Sequence, residues 1–273
     1  MRHGIYTSDQ LSNEDYHRSD GISKSGLDLI LRSPAHYRFA EKREATRAME
    51  IGTALHCAIL EPERFASEYM LLRNCTDRRA SEYKEAVKVW GVERVLTGAE
   101  AARVAGMQES VRNNPHLSML AEPGRCELSV FATDPETGIV VRCRFDKLTD
   151  DGLAIDLKKT QDIRDFAKSV ANYGYHMQAA FYSDVWEWAT GERLAGFVFA
   201  AVEEQMPHAS APITLDAEAL DIGRMLYRRA LNEYAECLNT GEWPGIAMPP
   251  AELQLPGWYI NQFENDAEVQ INE

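Results

Sequence analysis

From Cys126 to Lys159 apolar and polar residues alternate, a strand-like period, whereas the flanking segments repeat their apolar positions at helical spacing. CELSVFAT and IVVRCRFDKL flank DPETG, a strong turn signal, and read as a hairpin. GLAIDLKK follows a Thr-Asp-Asp-Gly turn as a third strand, GFVFAAVEE is a fourth and PITL a short fifth. Ahead of them, Ser-Lys-Ser-Gly before LDLILRSPAHYRF predicts an N-cap and a helix over about 25–40, running through Pro34. A second helix begins near Ile51, and others cover 80–91 and 98–113, the latter opened by Thr97 and Glu100 in capping-box spacing. Helices at about 162–171, 174–189 and 216–239 complete the pattern. The order predicts an α/β fold, a mixed central sheet flanked by helices behind a helical N-terminal part. No repeat or linker divides the chain, so a single domain is expected over 1–250, with an acidic tail over 251–273.

Strand periodicity also sorts the polar residues. In VRCRFDK, Arg142, Arg144 and Asp146 are expected on one face and Val141, Cys143 and Phe145 on the other. On the next strand Asp156 and Lys158 are two apart and point the same way, with Leu153, Ile155 and Leu157 opposite. If the strands pair across their short turn, Asp146 and Asp156 converge with Lys158 beside them. Lys159 alternates to the other face, as a solvated or structural residue.

Composition narrows the setting. With 273 residues and 45% hydrophobic content, the chain can bury a large core. Its apolar runs fall far short of the roughly 18 residues that span a bilayer, and the N-terminus has no apolar signal core. Five cysteines, at 57, 75, 126, 143 and 237, form no CxxC pair, which argues against a zinc site or disulfide framework and for a reducing cytoplasm. A net charge of −14 weighs against nucleic-acid binding, but it is uneven. QFENDAEVQINE carries four acids and no base and is expected to be a mobile tail, whereas Arg142, Arg144, Lys147, Lys158 and Lys159 crowd together. A basic cleft on an acidic shell suits a polyanionic substrate.

Two readings of Asp146, Asp156 and Lys158 stay open on spacing alone. Close carboxylates repel unless a cation intervenes. A buried Lys–Asp pair stabilising the sheet is one solution; a hard divalent ion, Mg²⁺ or Mn²⁺, is the other. His56, between Leu55 and Cys57 on a helix, is either a core residue or a ligand. Gln178 and Tyr182 lie four apart on one helix face, with His176 off it. They are either a polar helix edge or donors to a phosphate or to the lysine.

Together these residues resemble the PD-(D/E)XK nuclease superfamily and, within it, the RecE (exonuclease VIII) group of phage-type recombination exonucleases. The likeness runs from about residue 4 to 245. It rests on the opening GIY…LSNEDYHRSDGISKSGLDLILRSPAHY, the histidine helix GTALHCAILEPERF, DPETGIVVRCRFDKL…IDLKKTQD, YHMQAAFYSD and LNTGEWPG. Phe145 stands where the superfamily has proline, a position without electrostatic work. The chain lacks the long N-terminal extension of the largest members and reads as the nuclease domain alone; its cysteines do not fit the iron–sulfur branch.

The resemblance implies that His56, Asp146, Asp156 and the carbonyl of Leu157 hold one or two ions of Mg²⁺ or Mn²⁺. It implies a charged Lys158 that orients water and stabilises phosphoryl charge, with Gln178 and Tyr182 positioning the phosphate and Lys158. It further implies 5′→3′ digestion of double-stranded DNA ends to leave 3′ single strands. Partners would be those DNA ends, other copies of the chain in a ring-like homo-oligomer, and a single-strand annealing recombinase of RecT type, with no membrane. Donors for a terminal 5′-phosphate are sought in Ser23, Lys24, Ser25 and Arg38. Arg142 and Arg144 either contact DNA or pair with acids such as Glu127, itself a candidate extra carboxylate.

Overall fold

The structure is a computed structural model describing residues 3–41, 44–247 and 252–270. The chain opens with a short strand, β1 (Gly4–Tyr6), and three helices, α1 (Asn13–Arg18), α2 (Lys24–Arg32) and α3 (Pro34–Arg38). The helix expected over 25–40 is thus two. The proline ring disfavours helical geometry in the residue before it, so Ser33 is extended, and its side chain then caps α3 by accepting from His36 N.

α4 (Arg47–Leu60) and α5 (Pro62–Glu68) follow, then β2 (Met70–Leu72), α6 (Ser81–Trp90), β3 (Val95–Thr97) and α7 (Gly98–Asn113). β2 and β3 pair in parallel as a separate two-stranded sheet. The predicted capping box of α7 is formed in full by Thr97 and Glu100. Next come β4 (Gly124–Thr133), β5 (Val140–Thr149) and β6 (Leu153–Thr160), then α8 (Phe166–Tyr173), α9 (Tyr175–Thr190), β7 (Gly196–Glu203), β8 (Ser210–Ile213) and α10 (Ala217–Thr240). The segment expected as a tail carries α11 (Gly257–Gln270), and residues 271–273 lie outside the described residues.

The main sheet has the order β1-β4-β5-β6-β7-β8, antiparallel except for the β6–β7 pair. Its DPETG turn closes because Asp134 accepts from Thr137 N and Oγ1 while Arg228 of α10 grips the same carboxylate at 2.8 Å. The second turn needs Gly152, at φ +86°, where a side chain would be strained.

Each face is covered by helices. On one, Leu27, Ile30, Met177, Phe181 and Leu231 of α2, α9 and α10 bury Leu128, Val130, Val141, Cys143 and Phe145. On the other, Ile51, Leu55, Val104 and Met107 of α4 and α7 bury Ile155, Leu157, Ala200 and Val202. This is the expected mixed α/β sandwich, its helical layers meeting the hairpin from one side and the crossover strands from the other.

The α9–α10 contact depends on a missing side chain. A Cβ on Gly223 would overlap the His176 carbonyl oxygen and lie 2.7 Å from its carbon, both backbone atoms that cannot step aside. Gly223→Ala should therefore lower the unfolding free energy by about 2 kcal/mol or more despite its better helix propensity. Urea denaturation checks this; a stabilised variant would mean that α10 slides freely on α9.

Candidate active site

The site lies where the sheet comes apart. The β5–β6 ladder holds two residue pairs, Lys147 with Ile155 and Leu148 with Ala154. The next step would set Asp146 against Asp156, but the strands separate there. Asp146 Oδ2 instead accepts from Leu157 N at 2.8 Å, so a carboxylate satisfies an amide that the ladder leaves open.

The β4–β5 pair is disturbed at the same level. Glu127 adopts φ +51°, and the ladder passes from Cys126–Lys147 to Leu128–Phe145 without pairing Glu127 to Asp146. Alternation breaks across this point: Cys126 Sγ donates to Leu60 O of α4, while Leu128 joins the core under α9. A non-glycine residue held in the left-handed region costs energy and marks a place where geometry serves something other than the sheet.

As a result the carboxylates converge from different directions, not from one face as alternation predicts. Asp146 turns towards α4, its Oδ2 3.3 Å from His56 Nδ1. Asp156 turns towards α9, where Gln178 Nε2 donates to Oδ1 at 2.5 Å and Lys158 Nζ lies 2.6 Å from Oδ2. Ligand atoms of His56, Glu127 and Asp146 come within 4.8 Å of one another. Glu127, only a candidate extra carboxylate by sequence, is therefore in the cluster. Its place follows from the backbone disturbance, which leaves no mark in the alternation pattern.

Electrostatics pull these groups apart. Burial resists the charge on Asp146, but His56, Lys158 and the Leu157 amide outweigh it and hold its pKa below the usual carboxylate value. Burial pushes Asp156 up, helped by the charge of Asp146 and opposed by Lys158. Glu127 is raised by burial and by Asp146, against the pull of Arg144. Burial disfavours a charged His56, yet Asp146 and Asp156 raise it from 6.5 to about 9. Lys158 follows the same logic: burial opposes its charge, and Asp156 and Asp146 more than restore it. Acids pushed in opposite directions around two cations are the signature of a site short of positive charge.

A metal ion fits this donor set. Asp156 Oδ2 is buried, and its partner is the Lys158 ammonium 2.6 Å away. Hard carboxylate oxygens with one imidazole match Mn²⁺, and with less preference for nitrogen Mg²⁺. All five groups named above except Asp156 line a cavity of about 740 Å³, together with Gln178, Tyr182, Tyr175, Ser23, Lys24 and Ser25. Asp156 stands behind Lys158 and Gln178.

Other expectations fare differently. Gln178 holds Asp156 rather than Lys158. Tyr182 packs edge-on against Phe145 at 5.4 Å, its phenol kept protonated by burial. Leu157 is engaged through its N–H and buries its side chain under α4. Lys24 lines the cavity but gives its ammonium to Tyr173 O at 2.6 Å and to Asp28 at 2.8 Å. Ser23 and Ser25 face each other at its mouth, 3.0 Å apart. Arg38 lies over the Trp243 ring, away from the cavity-lining residues.

The basic residues expected to crowd into one cleft are divided: Arg144 and Lys158 line the cavity, and the others are held elsewhere. Arg144, 9% exposed, donates to Glu127 at 2.8 Å and to Ser129. Arg142 donates to the Tyr16 and His17 carbonyls and lies over the Tyr16 ring. Lys147 is buried on the carbonyls of Leu120 and Glu122. Lys159 pairs with Glu204 at 2.6 Å, as a structural residue.

Comparison with known proteins adds a family and a fold. The family described as "PDDEXK-like domain of unknown function (DUF3799)" matches residues 23–248. Among solved structures, the chain is similar to a crystal structure described as a "putative exonuclease" from Eubacterium rectale. The two are 16% identical with a TM-score of 0.63, over 90% of this chain and 96% of that one. At that identity the likeness speaks for the fold. A search of curated proteins finds no match.

Proposed function

Because the chain belongs to the PDDEXK-like family DUF3799, we propose that it is a metal-dependent exodeoxyribonuclease that digests linear double-stranded DNA 5′→3′, leaving 3′ single strands. The observation that carries the hydrolytic part is the gathering of His56, Glu127 and Asp146 within 4.8 Å, beside the buried Asp156–Lys158 pair. A sheet-stabilising ion pair requires neither the histidine nor the strained glutamate.

His56, Glu127, Asp146 and Asp156, with the Leu157 carbonyl, would hold one or two ions of Mg²⁺ or Mn²⁺. Bound there, the ion supplies positive charge that polarises a phosphoryl oxygen and acidifies an attacking water. The protein's own groups do the rest. Lys158 stays charged and stabilises negative charge building on the phosphate. Gln178 fixes Asp156, and Arg144 fixes Glu127, so that the carboxylates keep their aim. Tyr182, backed edge-on by the buried Phe145, gives the cavity an apolar ring on its wall. The water oxygen bonds to phosphorus as the bond to the 3′ oxygen breaks, giving a 5′-phosphomonoester and a 3′-hydroxyl.

Polarity, the ring-like homo-oligomer and a RecT-type annealing partner in a bacterial or phage-infected cytoplasm rest on the sequence resemblance. Among the described residues no helix is long and apolar enough to cross a membrane. With Arg142, Arg144, Lys147 and Lys159 each held by a partner, this basic cluster offers DNA few free cations, which favours a site completed by several copies around the duplex.

End-labelled linear duplex, with and without a 5′-phosphate, tests the reading in Mg²⁺ and in Mn²⁺. Labelled mononucleotide should appear at once from the 5′ end, faster with the phosphate, and covalently closed circles should survive. Cutting of closed circles would make the protein an endonuclease, and intact linear duplex would remove the activity altogether.

A further inference from the structure

One cavity residue has no part in the donor set. Tyr175, the first residue of α9, places its ring beneath Lys158, with Nζ 4.6 Å from the ring centroid. The ring itself is fixed. It stacks on Phe199 at 5.6 Å and 29°, and packs against Phe166 at 5.8 Å. Gly174 before it takes φ +63°, the left-handed turn that separates α8 from α9 and sets where the ring begins.

We infer that Tyr175 is a positioning residue for Lys158, whose ring face retains the ammonium in the cavity when Asp156 no longer can. In the structure Lys158 is drawn by the carboxylates of Asp156, at 2.6 Å, and of Asp146, and by the Tyr175 ring. Once Asp156 gives its oxygen to a divalent cation, the first attraction weakens and a like charge stands nearby. A flexible lysine on a half-open cavity would then swing towards solvent. The electron-rich ring face lies on the side of Lys158 that does not compete for the metal. Its attraction is strengthened by the partial burial of both groups. Phe199, at 5.9 Å from Nζ, backs the ring without replacing it.

This rests on the proposed hydrolytic role of Lys158, and the test separates the two. Tyr175 would be replaced by phenylalanine, 3,4,5-trifluorophenylalanine and leucine, with thermal midpoints measured for each. Phenylalanine should keep kcat within about twofold. The trifluoro ring, equal in shape but with an electron-poor face, and leucine should each lower kcat about tenfold with little change in KM. Independently of activity, the εCH₂ protons of Lys158 should show an upfield ring-current shift in lysine-labelled protein saturated with Mg²⁺. The signal is assigned by its loss in Lys158→Arg. The shift should persist in the phenylalanine variant and vanish in the leucine variant.

Absence of that shift in the Mg²⁺-saturated native protein overturns the inference, whatever the nuclease assay gives. So does a trifluoro variant as active as the native enzyme, or a phenylalanine variant as slow as leucine, which would assign the effect to the hydroxyl. If the leucine variant melts early, the phenylalanine and trifluoro pair still decides. If the native protein degrades no DNA, the functional reading falls and the ring-current shift alone decides the geometry.

Discussion

Asp156→Asn is expected to lower the rate of duplex hydrolysis about a thousandfold while the protein stays folded. The substitution keeps the shape and the acceptor that Gln178 Nε2 uses on Oδ1. It removes the charged oxygen that lies 2.6 Å from Lys158. Two contributions vanish together: a ligand charge for the metal and the counter-charge that draws Lys158 into place. Stability should fall only in part, because the Lys158 ammonium loses its 2.6 Å partner while the burial that pushes the Asp156 carboxyl up no longer opposes a charge there. The comparison that matters is rate against urea midpoint. A variant retaining a tenth of the native rate would mark Asp156 and Lys158 as a structural pair, whereas a collapsed midpoint would show that the charge holds the sheet together.

The second large effect lies outside the site and is one of stability. Arg47→Met should cost about 3 kcal/mol, seen in urea denaturation at neutral pH. Arg47 opens α4 and spends every donor: two on the Glu100 carboxylate at 2.8 and 2.6 Å, and one each on Glu50, Val92 O and Val95 O. It thereby bolts α4, which carries His56, to β3 and α7. Glu100, its side chain 12% exposed, would be left buried with only the Thr97 amide as donor.

The pH dependence follows from the same pair. Burial opposes the charge on Glu100, but Arg47 and Thr97 lower its pKa from 4.5 to about 2. A depressed carboxylate contributes stability in full above its unfolded value near 4.5 and loses it as pH falls through the folded value near 2. The deficit of Arg47→Met should accordingly shrink between pH 4.5 and 2. It should also be partly repaired at neutral pH by adding Glu100→Gln. A deficit that stays constant down to pH 2 would assign the loss to packing of the arginine stem.

Which residues gather at the candidate site was legible in the sequence to an uneven degree. Asp146, Asp156, Lys158, His56 and Gln178 meet, because a D-x-K strand after a hairpin has few ways to fold. Their faces were not legible. Alternation is a property of an undisturbed ladder, and here the ladder is interrupted at Glu127 and abandoned beyond Lys147. For the same reason Glu127 stayed a minor candidate: its position depends on φ +51°, not on its spacing. The basic cluster is divided for a different cause. Proximity in sequence says nothing of partners supplied from afar, and Glu204 and the carbonyls of Leu120 and Tyr16 had claimed those cations. The break at Pro34 was readable, since proline dictates the geometry of Ser33 locally.

The early parting of β5 and β6 has a consequence for the order of assembly. Positions 127, 144, 146 and 156 lie on strands, whereas 56 and 178 come from two helices that cover opposite faces of the sheet. A chain with the hairpin formed but one helical layer undocked therefore has carboxylates without an aim. The constellation is complete only when both layers are closed on the strands.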